Sequence, residues 1–105
     1  MSEIAADGRY ADLKIARITN VKNLAASISK HIQQGRIVRM TAIGAGSISQ
    51  MMKACACALQ FLAPMGIEIR WRIYWADKPV PEDVQVPDGH RNTWSAIVVE
   101  SHQLR

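Results

Sequence analysis

The segment Arg39-Met-Thr-Ala-Ile-Gly-Ala-Gly-Ser-Ile-Ser-Gln50, with the run that continues to Met65, constrains the fold more than any other part of the chain. It reads as a strand, a glycine turn and a long helix in direct succession. In Ile37–Ile43, Val38, Met40 and Ala42 fall on one face and Arg39 and Thr41 on the other, which is strand periodicity. Gly44-Ala45-Gly46-Ser47 then turns the chain, with Ser47 expected as the helix N-cap. Such a turn aims backbone N–H groups and a helix N-terminus at one point, where an anion can sit. The same glycines serve equally well to let a strand meet a helix closely, and both readings stay open. There is no P-loop lysine, so nucleotide hydrolysis is not expected.

The helix after this turn has a main stripe of Ile48, Met51, Met52, Cys55, Leu59 and Leu62. Ala54, Ala58 and Phe61 add a second stripe, and only Ser49, Gln50, Lys53 and Gln60 are polar. A helix apolar over most of its circumference must be covered on more than one side. In a chain of 105 residues, one domain with a modest core, the second cover is either another subunit or the protein's own interior. The first alternative puts Met51, Met52, Cys55 and Leu59 at a dimer interface.

Before this segment, residues 1–11 are small and polar and are expected to form a flexible arm, leaving 12–105 as the single domain. Leu13, Ile15 and Ala16 mark a first strand. Asn20 is a fair N-cap for a helix whose apolar face is Val21, Leu24, Ala25, Ile28 and Ile32, and Gly35 stops it. After Pro64 and Gly66, the residues Ile67, Ile69, Trp71, Ile73 and Trp75 alternate strictly with Glu68, Arg70, Arg72 and Tyr74, the clearest strand in the sequence. Residues 76–91 form a long hairpin arm. It carries Asp77, Glu82, Asp83 and Asp88 against Lys78 and Arg91, a net of −2. A last strand spans Thr93–Ser101, and the final four residues are expected to fray. The order β-α-β-α-β-β implies an α+β fold, an α/β sandwich with two helices on one face of a four-stranded mixed sheet.

The residue inventory narrows the chemistry. Cys55 and Cys57 point about 200° apart on one helix and cannot bridge each other, and His31, His90 and His102 are scattered. No metal site, catalytic constellation, cofactor or small-molecule substrate is expected, and the protein is read as non-enzymatic. No run reaches the ~18 apolar residues of a membrane span, and the first residues lack a signal peptide's basic start and apolar core, so a cytoplasmic location is expected. Thirteen Lys and Arg against nine Asp and Glu give a net charge of +4, which suits a polyanionic partner.

From about Leu13 to Glu100 the chain resembles the stage V sporulation protein S family, which has an Alba-like fold. The likeness is carried by Thr41-Ala-Ile-Gly-Ala-Gly-Ser-Ile-Ser-Gln50, by Lys53-Ala54 and by Phe61-Leu-Ala-Pro-Met-Gly66. It implies a small dimeric protein of nucleic-acid-binding architecture with a regulatory role in bacterial development, and no known enzymatic chemistry. Alba proteins place a lysine pair in the loop after the first strand. Here those positions fall near Ile18 and Thr19, with Arg17 and Lys22 beside them.

Two functions are compatible with these features. In the first, a dimer or larger homo-oligomer binds DNA or RNA through backbone phosphates. Arg17, Lys22, Arg36 and Lys53 would gather around Gly44, Gly46 and Ser47, and Arg70 and Arg72 would lie on the sheet's open face. The sheet arginines could instead pair across strands with Glu68 and Glu100. In the second, the same fold is a protein-interaction or assembly module with little nucleic-acid affinity.

Overall fold

The computed structural model describes residues 2–4, 8–79 and 93–105. Seven elements follow in order: β1 (Ser2–Ile4), β2 (Tyr10–Ile15), α1 (Val21–Gln33), β3 (Ile37–Ala42), α2 (Ala45–Leu62), β4 (Ile69–Pro79) and β5 (Thr93–Gln103), with a short 3-10 turn at Ala63–Met65. The strand order in the sheet is β1-β2-β3-β5-β4. The four strands β2-β3-β5-β4 are the expected mixed sheet: β2 and β3 are parallel, and β5 is antiparallel to both β3 and β4. Ser2–Ile4, expected within a flexible arm, add a fifth strand antiparallel to β2. Most of the 76–91 arm lies outside the described residues, but Ala76–Pro79 continue β4 against Thr93–Ala96. The final residues do not fray: Leu104 N–H donates to the Glu68 carbonyl at 2.8 Å, and Glu68 N–H donates to the Arg105 carbonyl at 3.0 Å.

Local chemistry sets the helix ends. The Asn20 side chain accepts from Asn23 N–H at 2.9 Å, the expected cap of α1. Gly35, at φ +80°, ends that helix, with Gly35 N–H on the Ile32 carbonyl and Arg36 N–H on the His31 carbonyl, each at 3.0 Å. At α2 the N-cap is Gly44, not Ser47. Gly44 has φ 90° and ψ 154°, a backbone region essentially reserved for glycine, so the turn is made earlier than a hydroxyl cap at Ser47 would make it. Ser47 falls in the first helical turn and is buried.

One face of the sheet carries Leu13, Ile15, Val38, Met40, Ala42 and Val99, all buried. Onto it pack Leu24, Ala25, Ile28 and Ile32 from α1 and Met51, Ala54, Cys55, Ala58 and Leu62 from α2. α2 lies over β2 and β3, and α1 packs on β3 and on α2. Met51 and Cys55, expected at a dimer interface, lie in the protomer's own core, at 0% and 5% exposure. Burial pushes the Cys55 thiol up to about 12, and neither cysteine is bridged.

Met52 and Leu59, on the other side of α2, are exposed. Truncating Met51 to Ala is expected to cost about 2–5 kcal/mol of stability, and Met52→Ala less than about 0.5 kcal/mol in the protomer. Urea titrations of the two variants at a concentration too low for association check the contrast, and equal losses would contradict the placement of α2.

Candidate nucleic-acid interface

The chain leaves β2 through a tight turn at Ala16–Thr19. Thr19 N–H donates to the Ala16 carbonyl at 3.0 Å, and Ala16 N–H donates to Thr19 Oγ1 at 2.9 Å. Arg17 and Ile18 occupy its tip, and Ile18 is 86% exposed. This turn rests on the first turn of α2. Gln50 Nε2 donates to the Thr19 carbonyl at 2.8 Å. A Cβ at position 46 would stand 3.0 Å from Arg17 Cβ, tighter than nine in ten such contacts, so a side chain there would have to push Arg17 back by a few tenths of an ångström and Gly46 leaves its seat open. The glycine turn has no cation of its own, and the fold supplies Arg17 to it.

The direction of the chain places the rest. β2 and β3 are parallel, and each runs straight into a helix. The N-termini of α1 and α2 therefore emerge at the same end of the sheet, the end at which β4 runs toward the hairpin. Neither helix has an acidic residue in its first turn, although one there would offset the positive end of the helix dipole. Lys22 stands instead in the first turn of α1, exposed. Ligands of open sheets built from strand–helix units commonly lie beyond the carboxyl ends of the strands, which is this end.

The candidate residues fall into three places. Arg17, Lys22, Gly44, Gly46 and Ser47 come together at the helix N-termini. Lys53 is exposed on α2, about 12 Å along the helix from its start, and flanks them. Arg36 does not join them. It immediately precedes β3, so the six residues Ile37–Ala42, about 20 Å of strand, separate it from Gly44. Its guanidinium is engaged there with His31 Nδ1 at 3.1 Å and with the Gln34 side chain. Arg70 and Arg72 lie on the sheet face opposite the helices. Cross-strand pairing of a sheet arginine is realised at a carboxylate other than Glu68 or Glu100. Arg39 Nε donates to Asp12 Oδ1 at 2.5 Å and Nη2 to Oδ2 at 2.9 Å.

A further surface was only half legible in the sequence. Ile69, Trp71, Ile73 and Trp75 share the face on which the helices lie, but the core under the helices reaches only the first two of them. Ile69 is buried and Trp71 half-buried against the core, whereas Ile73 is 57% and Trp75 73% exposed. The Trp71 indole N–H is buried without an acceptor. The side chain of Trp94 lies outside the described residues. Ile73 and Trp75 thus share with Met52 and Leu59 the helix-bearing side of the molecule as large exposed apolar groups. The alternation fixed which way they point, but no periodicity states how far the helices reach across the sheet.

Among the described residues no group of three His, Cys, Asp or Glu is placed to hold a metal ion, and no helix is long and apolar enough to cross a membrane. Burial first, then Arg36 and Lys30, hold His31 below its ordinary value of 6.5. A lowered folded value means that the unfolded chain takes up the proton first as pH falls. The stability tied to neutral His31 is therefore complete above pH 6.5 and declines as pH drops from there through the folded value. Unfolding titrations at pH 7.5 and 5.5 should show a smaller acid loss for His31→Gln than for the parent protein, and an identical loss would contradict the assignment.

The resemblance noted in the sequence is borne out beyond its quoted motifs: the family model of stage V sporulation protein S (SpoVS) matches residues 11–100 of the 105, and the chain belongs to that sporulation-related family.

Proposed function

We propose that the protein is a non-enzymatic, cytoplasmic regulator that binds DNA or RNA as a dimer, through backbone phosphates, at the end of the sheet where both helices begin. The observation that carries this reading is the seating of Arg17 on Gly46. It lays the aliphatic part of the Arg17 side chain against a helix N-terminus that has no acidic residue, at the end of the sheet where a second such N-terminus carries Lys22. A phosphate there would meet the free N–H groups of a first helical turn and a bidentate cation together. Recognition of this kind reads charge and spacing more than sequence.

The dimer would use the helix-bearing side of the molecule through Met52, Leu59, Ile73 and Trp75. An exposed tryptophan beside exposed aliphatic residues is the composition of an interface centre. The same surface supports the second reading, an assembly module, because it needs no nucleic acid to explain it. Binding and association are separable by experiment.

Affinity for a short duplex should fall steeply as salt rises from low to moderate concentration. Replacing Arg17 and Lys22 with Ala should flatten that dependence by roughly 0.9 for each phosphate no longer neutralised. Fluorescence anisotropy over a salt series measures it. Absence of binding at low salt would leave only the assembly reading. Light scattering at micromolar concentration should give a dimer for the parent protein and a monomer for Met52→Lys combined with Trp75→Ser. A parent monomer, or a dimer that survives both changes, would contradict the interface.

A further inference from the structure

The sheet face opposite the helices carries a set of side chains that the site at the helix N-termini does not use. Across it runs a row in strict register: Asp12 opposite Arg39, Arg39 opposite Glu100, and Glu100 opposite Arg72. The carboxylates in this row are engaged. Asp12 holds Arg39 in a two-point ion pair, and Glu100 accepts the Tyr74 hydroxyl, which raises the tyrosine's pKa. The guanidinium groups also lie on rings. Arg39 Cζ is 4.4 Å from the Tyr10 ring centre, and Arg72 Cζ is 4.9 Å from that of Tyr74.

Three further facts give the face its character. Lys14, Arg70 and Arg72 are exposed, and among the described residues no carboxylate stands within ion-pair distance of them. Among the described side chains of this face, the cations Lys14, Arg39, Arg70 and Arg72 outnumber the carboxylates Asp12, Glu68 and Glu100 by one. The backbone positions of Tyr10 and Tyr74 lie three strands and two side-chain rows apart, a diagonal of about 20 Å across the sheet, and their stacked partners Arg39 and Arg72 stand between them in one row, two strands apart.

Positive charge alone would suit any polyanion. The flat stacks discriminate, because a duplex keeps its bases paired inside and offers a surface only phosphates. A single strand offers phosphates and unstacked bases together, and bases stack on aromatic rings and on guanidinium planes without regard to sequence. We infer that this open sheet face binds single-stranded nucleic acid, with Lys14, Arg70 and Arg72 on phosphates and the Tyr74–Arg72 and Tyr10–Arg39 stacks under bases. The inference rests on the proposed nucleic-acid function and assigns it a second surface, on different residues from those at the helix N-termini.

The test compares labelled oligouridine, oligothymidine and a short duplex by anisotropy over a salt series. The proteins are the parent, Arg72→Ala/Tyr74→Ala, Tyr74→Phe, Arg70→Gln and the Arg17→Ala/Lys22→Ala pair. The double change on the face should weaken single-strand binding about tenfold or more. It should also lower the single-strand salt slope by about 0.7 for the cation removed. Duplex binding should stay unchanged. Tyr74→Phe keeps the ring and should keep single-strand affinity. Arg70→Gln, a change at an exposed strand position, should weaken single-strand binding too and covers the case in which the double variant unfolds. Equal losses for single strand and duplex, or none for either, would overturn the inference. If the parent binds duplex but no single strand, the inference fails while the proposed function stands. If it binds neither, both fail.

Discussion

The parallel pairing of β2 with β3 is the constraint on which the remaining architecture depends. Leu13 opposite Met40 and Ile15 opposite Ala42 build the apolar platform that Ile28, Met51 and Leu62 cover. A parallel pair needs a crossover, and α1 supplies it over the same face. Because each strand of the pair hands directly to a helix, both helices start at one end of the sheet. Their positive ends, the turn that carries Arg17 and the base of the hairpin are brought together by chain direction alone. The glycines then set the fine geometry: Gly44 makes the turn with a backbone closed to other residues, and Gly46 leaves room for Arg17.

The same constraint leaves two surfaces uncovered. Two helices cover the sheet only as far as Val99 of β5 and Ile69 of β4, so the apolar side of the hairpin stays open at Ile73 and Trp75. Among the described residues no helix covers the opposite face. There the chain places charges in alternating register and lets tyrosines carry guanidinium groups, so that a solvent-facing sheet is polar without being neutral. Each surface has its own chemistry: cations at helix ends for phosphate, aliphatic and indole groups for a second copy, and a basic aromatic face for a single strand.

Much of this was legible in the sequence. The strict alternation of Ile69, Trp71, Ile73 and Trp75 with Arg70, Arg72 and Tyr74 gave β4 and both of its faces. The 3.6-residue spacing from Val21 to Ile32 gave α1, and the Gly-x-Gly run gave the β3–α2 junction. What escaped did so for physical reasons. A three-residue strand such as Ser2–Ile4 has too short a pattern to declare itself and exists because β2 offers a free edge. An 18-residue helix apolar on most sides does not say which side meets its own core, so Met51 and Cys55 could not be told from Met52 and Leu59. The position of Arg36 followed from strand direction, since it precedes β3 and Gly44 follows it. The seating of Arg17 on Gly46 is a tertiary contact between residues 29 apart in sequence, which no local spacing encodes.

On this reading phosphates are held where the two helices begin. Amide chemical shifts during titration of the labelled protein with a short nucleic-acid duplex at low salt test that most directly. The first-turn amides of Ala45, Gly46, Ser47 and Lys22, with the Arg17 side-chain Nε–H, should move first and furthest. Shifts confined to the opposite end of the sheet around Arg36 and His31, or no shifts at saturating duplex, would contradict it.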